Sequence, residues 1–342
     1  MSRRALTLVM GIVLAVALAV TGSVQTVNYV ALGPGPSINT LGSSDGTVVL
    51  SIKGAKTYPT DGSLALTTVS VQDKITLFQA LVDWVSPRTA VIPREIILPP
   101  DTTDNQRQQQ NQQEMQQSQD NATTAALREL GYPATTSVVV SAVSNGAPAD
   151  GKLKPADVLT SVDGVAVTDA KSVGTLVRKH QPGQVVAIGY TRDGVAGTVD
   201  ITTGSSKDTP PHAIVGITPA ESSSFAVKVT ISLTNIGGPS AGLMFALGII
   251  DKLGPDSLTG GRKIAGTGEI TPDGKVGPIG GIAEKMIGAK DRGAKVFLSP
   301  AENCPEAKST KPSGITLVKV ETLKGALAAL KTLREGGTPP AC

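Results

Sequence analysis

The chain has 342 residues and a formal net charge of +3, and 40% of its residues are apolar while only 3% are aromatic. The length suits about two domains, and the composition allows a sizeable core that must be mainly aliphatic. No long run of Lys or Arg occurs, which argues against nucleic acid as the main partner because phosphate binding needs clustered cations.

The N-terminus carries an uncharged apolar stretch from Ala5 to Val24, preceded by Arg3 and Arg4. A helix needs about 20 residues to cross a bilayer, and the two arginines favour a cytoplasmic N-terminus with an exported remainder. A cleaved signal peptide is the alternative, because Ala17-Leu18-Ala19 resembles a cleavage site, but the length favours a retained anchor. We therefore predict that residues 1–24 are a single-pass membrane anchor or signal segment, and that the bulk of the chain is extracytoplasmic.

Residues 25–100 are predicted to be the N-terminal part of a folded module. They begin with a Gly- and Pro-rich stretch over 25–45 that is typical of an extended lead-out from the membrane. Strand-like runs follow at 47–52 and 63–69, and apolar residues at spacings of three and four predict a helix over 72–85.

The next segment, 101–130, is predicted to be a Gln-rich connector. Residues 104 to 120 contain nine glutamines and almost no apolar side chains. Such a polar, low-complexity composition is typical of a solvated helix or a flexible linker.

Residues 131–205 are predicted to form a compact β-rich domain. A strand-like run precedes the stretch GAPADGKLKPADVLTSVDGVAV, and a helix and two further strands follow it. This stretch resembles the bacterial PDZ family. The resemblance implies a module that adds a peptide as an extra strand at a sheet edge, with Leu130–Pro133 as a loose version of the family's carboxylate-binding loop. A spacer that shields a neighbouring domain is the alternative.

The chemistry is expected in residues 206–336, which are followed by a short tail at 337–342. After a strand predicted over 225–233, the sequence reads GGPSAG and then continues into an apolar helix. Backbone amides at a helix N-terminus have no partners within the helix, so together with a glycine turn they can bind an oxyanion. This makes Ser240 a candidate nucleophile, with Gly238 and Ala241 as candidate oxyanion donors; a polar residue in a first helical turn is the alternative.

A second helix is predicted from Gly280-Gly281 to about Arg292. Lys285 falls within its apolar stripe, whereas Glu284 and Asp291 are expected to point the other way. Burial lowers the pKa of a lysine and makes the neutral amine available as a base, although an isolated lysine more often extends its ammonium group to water.

GGPSAG, followed by TGEITPDGKVGPIGGIAEKMIGAKDRGAKVFLSPAEN, resembles the proteolytic domain of Lon-type proteases. The resemblance implies a Ser-Lys dyad, with Ser240 as nucleophile and Lys285 as general base, and it assigns Thr267 to the support of the lysine. It also implies self-assembly into a homo-oligomer. The earlier strand and helix at 63–85 resemble the first part of the same domain, so the PDZ-like unit is expected to be inserted into it.

The combined prediction is an α+β fold: a Lon-type proteolytic domain with an inserted PDZ-like β-rich domain and an N-terminal transmembrane helix. The sequence has no G-x-x-x-x-G-K-[ST] phosphate loop, so an ATP-independent serine endopeptidase is expected, acting on unfolded or flexible protein and peptide substrates outside the cytoplasm. No cofactor is predicted. The alternative function is a non-catalytic scaffold that binds partners at the membrane surface through its PDZ-like domain.

Other catalytic arrangements have less support. The spacing of the two cysteines does not suggest a metal site, and with only two histidines in the whole chain no metal is predicted. A Ser-His-Asp triad would need His180, which closes the PDZ-like helix, or His212, which lies in a proline-containing linker. Cys304 and Cys342 are weak nucleophile candidates, and in an oxidising compartment they either form a disulfide or remain as two free thiols.

Overall fold

The computed structural model describes residues 3–98, 102–234 and 236–342. The boundary predicted between residues 100 and 101 lies outside these described residues. The chain forms two compact units. The discontinuous unit consists of Met1–Tyr132 and Val227–Cys342, and the inserted unit is Pro133–Ala226. The predicted α+β fold with an inserted β-rich unit is confirmed.

The first part of the discontinuous unit contains four helices and six strands among the described residues. They are α1 (Arg3–Val24), β1 (Tyr29–Asn39), β2 (Ser43–Ser44), β3 (Thr47–Val48), β4 (Leu50–Lys53), β5 (Ser63–Gln72), α2 (Leu77–Val85), β6 (Ala90–Pro93), α3 (Arg94–Ile97) and α4 (Asp104–Glu129). Helix α1 is long and apolar enough to cross a membrane, and a signal sequence near an N-terminus has the same character.

The inserted unit contains β7 (Ala134–Val143), β8 (Val158–Val162), β9 (Val165–Ala166), α5 (Ala170–Val177), β10 (Val185–Arg192), β11 (Val195–Thr202), β12 (Gly204–Ser205), β13 (Ala213–Ile214) and β14 (Ile217–Phe225). Its main sheet has the order β11-β10-β8-β7-β14, and aliphatic side chains from the sheet and from α5 form one core. The unit extends beyond the predicted end at residue 205, because β14 pairs with β7 along its whole length.

The chain then returns to the discontinuous unit with β15 (Lys228–Ile231), α6 (Gly242–Leu253), β16 (Lys263–Gly266), β17 (Glu269–Ile270), β18 (Val276–Gly277), α7 (Ile282–Asp291), β19 (Val296–Pro300), a 3-10 turn (Ala301–Asn303), α8 (Cys304–Ser309), β20 (Thr316–Val320) and α9 (Leu323–Arg334). The strand predicted over 225–233 is split, because β14 ends at Phe225 in the inserted unit and β15 pairs with β4.

A six-stranded sheet joins the two parts of the discontinuous unit in the order β20-β19-β16-β5-β1-β6. Strands β5, β16, β19 and β20 are parallel, and β1 and β6 are antiparallel additions at one side. Leu66 of β5 lies opposite Gly266 of β16, so the residues that follow, Thr67 and Thr267, lie side by side. This pairing brings a residue that precedes the inserted unit next to one that follows it.

The extended lead-out predicted over 25–45 is wrong, because most of it is strand β1, which lies between β5 and β6. Its glycines and prolines indicate a loop, but a register shift between Pro34 and Ser37 accommodates them within the sheet. Gly35 is required there, since a Cβ atom would lie 2.7 Å from the backbone carbonyl carbon of Thr68. The helix predicted over 72–85 begins only at Leu77, because β5 continues to Gln72 and Thr76 caps the helix.

The Gln-rich segment is a 26-residue helix, α4, and only one of its faces is solvated. Thr103 and Gln106 form a capping box at its start, and pairs such as Gln110–Glu114 bond along its exposed side. The opposite face packs against α6 and β17, and it buries side chains that recur at helical spacing: Met115, Ser118, Ala122, Ala125 and Ala126.

Cys304 and Cys342 form a disulfide that fixes the C-terminal tail to the start of α8. The tail also pairs with β20, where Lys319 N–H donates to the Pro340 carbonyl at 2.9 Å. No free cysteine occurs in the part of the chain that the structure describes. The disulfide and this pairing together hold the tail against β20, which is an edge strand.

Replacing both cysteines by serine is expected to lower the free energy of unfolding by about 4 kcal/mol, because the bond closes a loop of 38 residues and restricts the unfolded chain. Urea unfolding followed by circular dichroism measures this loss. Reducing agent should destabilise the natural chain and leave the double-serine variant unchanged. Equal urea midpoints for the two proteins under oxidising conditions would contradict the expectation.

Candidate active site

Ser240 lies on the short loop between β15 and α6, where it is half-buried. The loop turns at Gly238, whose φ of +85° lies in the left-handed region that favours glycine. Helix α6 begins at Gly242 with Ala241 as its N-cap, so Pro239 precedes the helix and does not occupy its first turn. A Cβ atom at Gly242 would lie 2.7 Å from Ile270 Cγ2, so this glycine allows β17 to lie close to the loop.

Lys285 lies on α7 and is only 3% exposed. Its Nζ donates to Thr267 Oγ1 at 3.2 Å. Burial lowers the pKa of Lys285 to about 8, although the negative charges of Glu269 and Glu284 act in the opposite direction. The side chain does not extend its ammonium group to water, and near pH 8 a substantial fraction of it is a neutral amine.

Thr267 connects the lysine to the Ser240 residue. Its own hydroxyl donates to the Ser240 carbonyl at 3.0 Å, and the Gly268 N–H donates to the same oxygen at 2.9 Å. Thr267 is fully buried, and its N–H donates to Leu298 of β19. In the described residues, no hydrogen bond joins Ser240 Oγ directly to Lys285 Nζ; the two residues are linked through Thr267.

The sequence predicted that Glu284 points away from the buried stripe of α7 that carries Lys285, and this prediction is wrong. Glu284 is buried, whereas Asp291 is exposed and forms an ion pair with Arg88. Burial raises the pKa of Glu284, and the nearby charge of Glu306 adds to the rise. The prediction assumed one buried stripe on α7, but this helix packs against β1 and β5 on one side and α8 on another.

The backbone N–H groups of the two predicted oxyanion donors, Gly238 and Ala241, differ in whether they already have a hydrogen-bond acceptor. The Gly238 N–H donates to the Asn111 carbonyl of α4 at 3.0 Å. The Ala241 N–H has no acceptor among the described residues, although Ala241 is buried. One backbone amide beside Ser240 is therefore available to a bound group, and the other is occupied by α4.

Helix α4 contributes residues to the site that the sequence analysis missed. Ser118 Oγ donates to the Pro239 carbonyl at 2.8 Å, which fixes the residue before Ser240. Glu114 lies near Glu269, whose pKa is raised first by burial and then by the Glu114 charge. The small residues of α4 at helical spacing, starting from Ser118, were the available signal that this polar helix has a buried face.

Asn303 fixes the turn before α7. Its side-chain oxygen accepts from the Ile279 N–H at 2.9 Å, and its Nδ2 donates to the Ile279 carbonyl at 2.8 Å. Gly281 then adopts a left-handed φ of +68° and starts the helix that carries Lys285. Asn303 thus determines where the helix begins, and it was not predicted to be a site residue.

Ser240 and Lys285 line one open cleft of about 660 Å³ in the discontinuous unit, together with Gly238 and Ala241. It contains Ser240 and Lys285 together with apolar side chains from β1 and β5. The lining residues include Leu32, Val69, Val71, Glu114, Ser240 and Lys285. The cleft therefore has a nucleophile candidate, a base candidate and apolar walls that suit an extended chain.

Both histidines lie in the inserted unit, where they bond to neighbours within it. His180 Nε2 lies 3.0 Å from Asp163, and His212 Nδ1 lies 2.9 Å from Ser206 Oγ. In the described parts of the chain, no group of three or more His, Cys, Asp or Glu side chains could hold a metal ion.

Residues 212–330 match the family model described as the Lon protease (S16) C-terminal proteolytic domain. This match includes the Ser240 loop, Thr267 and Lys285. The chain contains a Lon-type proteolytic domain. Residues 109–203 match the model of the PDZ domain, so both family resemblances that the sequence indicated are confirmed.

Curated relatives are similar to this chain over a short part of their length. The chain is 37% identical over 92 residues to a Lon protease of Lachnoclostridium phytofermentans, covering 25% of this chain and 11% of the relative. It is 38% identical over 92 residues to Lon protease 2 of Bacillus subtilis, covering 27% of this chain and 16% of the relative. The matched segments thus span less than a fifth of these relatives.

Solved structures similar to this chain include two PDZ domains of SdrC-like proteins. The one from Listeria monocytogenes covers 24% of this chain and 86% of that chain, at 25% sequence identity and a TM-score of 0.23. The one from Listeria innocua covers 24% of this chain and 92% of that chain, at 23% sequence identity and a TM-score of 0.23.

Proposed function

We propose that this protein is a serine endopeptidase in which Ser240 is the nucleophile and Lys285 is the general base. The observation that carries the proposal is a buried lysine with a lowered pKa that is linked through one threonine hydroxyl to the Ser240 residue. A neutral amine can accept a proton from a serine hydroxyl, and a lysine in a hydrophobic site is one of the ways in which proteins activate a nucleophile.

In the proposed reaction, Ser240 Oγ attacks the substrate carbonyl carbon while its proton moves to Lys285 Nζ. The resulting ammonium group gives that proton to the leaving amine, and an acyl-enzyme remains on Ser240. Water then attacks the ester carbonyl, Lys285 accepts a proton from that water, and the serine is restored when the proton returns to Oγ. Thr267 positions the lysine in both halves of the reaction.

The Ala241 N–H is the first oxyanion donor in this scheme, because no described residue accepts from it. The Gly238 N–H becomes the second donor only when the Asn111 carbonyl leaves it. We propose that substrate binding in the cleft displaces this contact of α4. A preorganised pair of donors at the developing oxyanion is usually a large contribution to acyl transfer.

We further propose that the protein acts outside the cytoplasm without ATP, anchored in the membrane by α1. The disulfide between Cys304 and Cys342 supports an oxidising compartment. The apolar helix α1 behind two arginines supports an anchored chain with an exported remainder. Without nucleotide-driven unfolding, flexible or already unfolded proteins are the expected substrates.

The PDZ domain is proposed to bind protein or peptide segments. A groove of about 310 Å³ runs along α5 and is lined by residues of α5 and of the segment 212–219. The predicted carboxylate-binding loop, Leu130–Pro133, is not among the residues that line this groove. Peptide recognition is therefore expected on the α5 side of the inserted unit.

Labelling of the full chain in detergent by a fluorophosphonate or peptide-boronate probe tests the proposed activity. Modification at Ser240, identified by mass spectrometry, is expected, and it should disappear in Ser240→Ala and Lys285→Ala variants. A folded protein that no probe labels would contradict the proposal. That result would favour the scaffold function, in which the groove along α5 recruits partners.

A further inference from the structure

Helix α2 has an apolar face that is exposed over most of its surface. Its six large apolar residues are all exposed, with Trp84 73%, Val85 83% and Val82 64% accessible. At about 100° per residue, these six side chains form one arc of roughly 160° on the helix surface, and the buried Ala80 lies just beyond the edge of the arc that Trp84 forms. The arc consists of Leu77, Phe78, Leu81, Val82, Trp84 and Val85.

This face begins where α1 ends. The Leu77 N–H donates to the Gln25 carbonyl at 3.0 Å, and the Val27 N–H donates to the Ile75 carbonyl at 3.0 Å. The Phe78 ring lies on Gly22, since a Cβ atom built there would be 2.6 Å from the ring. Phe78 therefore contacts α1 at a residue that still belongs to its apolar stretch.

Lipid that surrounds α1 would consequently reach α2. A nine-residue helix is only about 14 Å long, so the whole apolar face lies close to the end of α1. Helices with one apolar face lie in the membrane interface with that face about 5–10 Å into the headgroup and acyl boundary. Tryptophan is enriched at this depth because its ring is apolar and its N–H is polar.

We propose that α2 is a second membrane contact, lying in the outer interface of the bilayer that α1 crosses, with Trp84 in the boundary between headgroups and acyl chains. The proposal rests on the proposed anchoring by α1. Most of its basic neighbours are already paired, because Arg88 contacts Asp291 and Arg94 lies 3.9 Å from Asp73, and Lys74 is the one without an ion pair among the described residues. The contact is therefore driven by apolar burial and needs no anionic lipid.

Trp84 is the only tryptophan in the chain, which makes its fluorescence a direct probe. The full chain is reconstituted in phosphatidylcholine vesicles that contain lipids brominated near the headgroup or deep in the acyl chain. Trp84 emission should shift to the blue and lose intensity, more strongly with the shallow bromines. Adding phosphatidylglycerol should not change the loss.

Two variants in a Trp84→Phe background provide the controls. Val16→Trp places the only tryptophan within α1, and Val195→Trp places it at an equally exposed site of the inserted unit, where Val195 is 71% accessible. Quenching of the first and not of the second shows that the bromines report on lipid contact.

Quenching of Trp84 beside a quenched Val16→Trp variant supports the contact. An unquenched Trp84 beside a quenched Val16→Trp overturns it and leaves the anchor in place. An unquenched but blue-shifted Trp84, with a shift that grows with the number of chains per vesicle, also overturns it, since a second copy then covers α2. An unquenched Val16→Trp variant overturns both the anchoring and the interfacial contact.

Discussion

Ser240→Ala and Lys285→Met are each expected to lower peptide cleavage by about 10⁴-fold or more, because a nucleophile and its base act as one unit. Methionine is close to lysine in shape and lacks the amine, so it removes the proton acceptor with little change in packing. Cleavage of an unstructured, fluorescently labelled protein measures the loss. Combining the two substitutions should add little to either one alone.

The matched control is Lys290→Met, on the same helix but exposed and bonded only at the surface to Ser313. It should keep its activity. Lys285→Met should be at least as stable as the natural chain, with an equal or higher urea midpoint, because the substitution removes a buried cation. Cleavage retained by Lys285→Met would exclude Lys285 as the base, and a misfolded variant would be recognised by its urea midpoint.

The rate of acylation is expected to rise with pH and to level off above about pH 9. The proposed base works as a neutral amine, and burial lowers the pKa of Lys285 to about 8. At pH 7 about one eleventh of the lysine is then neutral and at pH 9 about ten elevenths, so the rate should increase about tenfold. Stopped-flow measurement of probe labelling from pH 6 to pH 10 gives the profile.

The lowered pKa of Lys285 also makes the free energy of unfolding depend on pH. The folded pKa of about 8 lies below the ordinary 10.5, so the unfolded chain binds the proton more tightly between these values. The free energy of unfolding should therefore rise with pH from about 8 to about 10.5, relative to Lys285→Met.

An activity profile that is flat from acid to alkaline pH would contradict the assignment of Lys285 as base.

Thr267 was assigned to the support of the lysine by resemblance alone. Its hydrogen bonds show how the side chain can orient the lysine. The hydroxyl accepts from Lys285 Nζ and donates to the Ser240 carbonyl, so it orients both partners at once. This arrangement depends on the parallel pairing of β5 and β16, which fixes where β16 ends.

Local patterns predicted Ser240, Lys285 and the two resemblances because each is carried by residues close together in sequence. The order GGPSAG, TGEI and GGIAEK is such a pattern, and so is the glycine-rich stretch of the PDZ domain. Turn signals were misleading in β1, where glycines and prolines lie within a sheet. Backbone hydrogen bonding to β5 and β6 outweighed the local preference there.

The amino-acid sequence by itself determined the candidate nucleophile and base, the apolar N-terminal helix and the presence of an inserted β-rich domain, because these depend on short motifs and on periodicity. The tertiary structure decided which side chains surround the base and the loop: buried Glu284, the Asn111 carbonyl on Gly238, Ser118 on Pro239 and the disulfide. These contacts join residues far apart in the chain, and burial and pairing at such distances arise only when the sheet and helices come together.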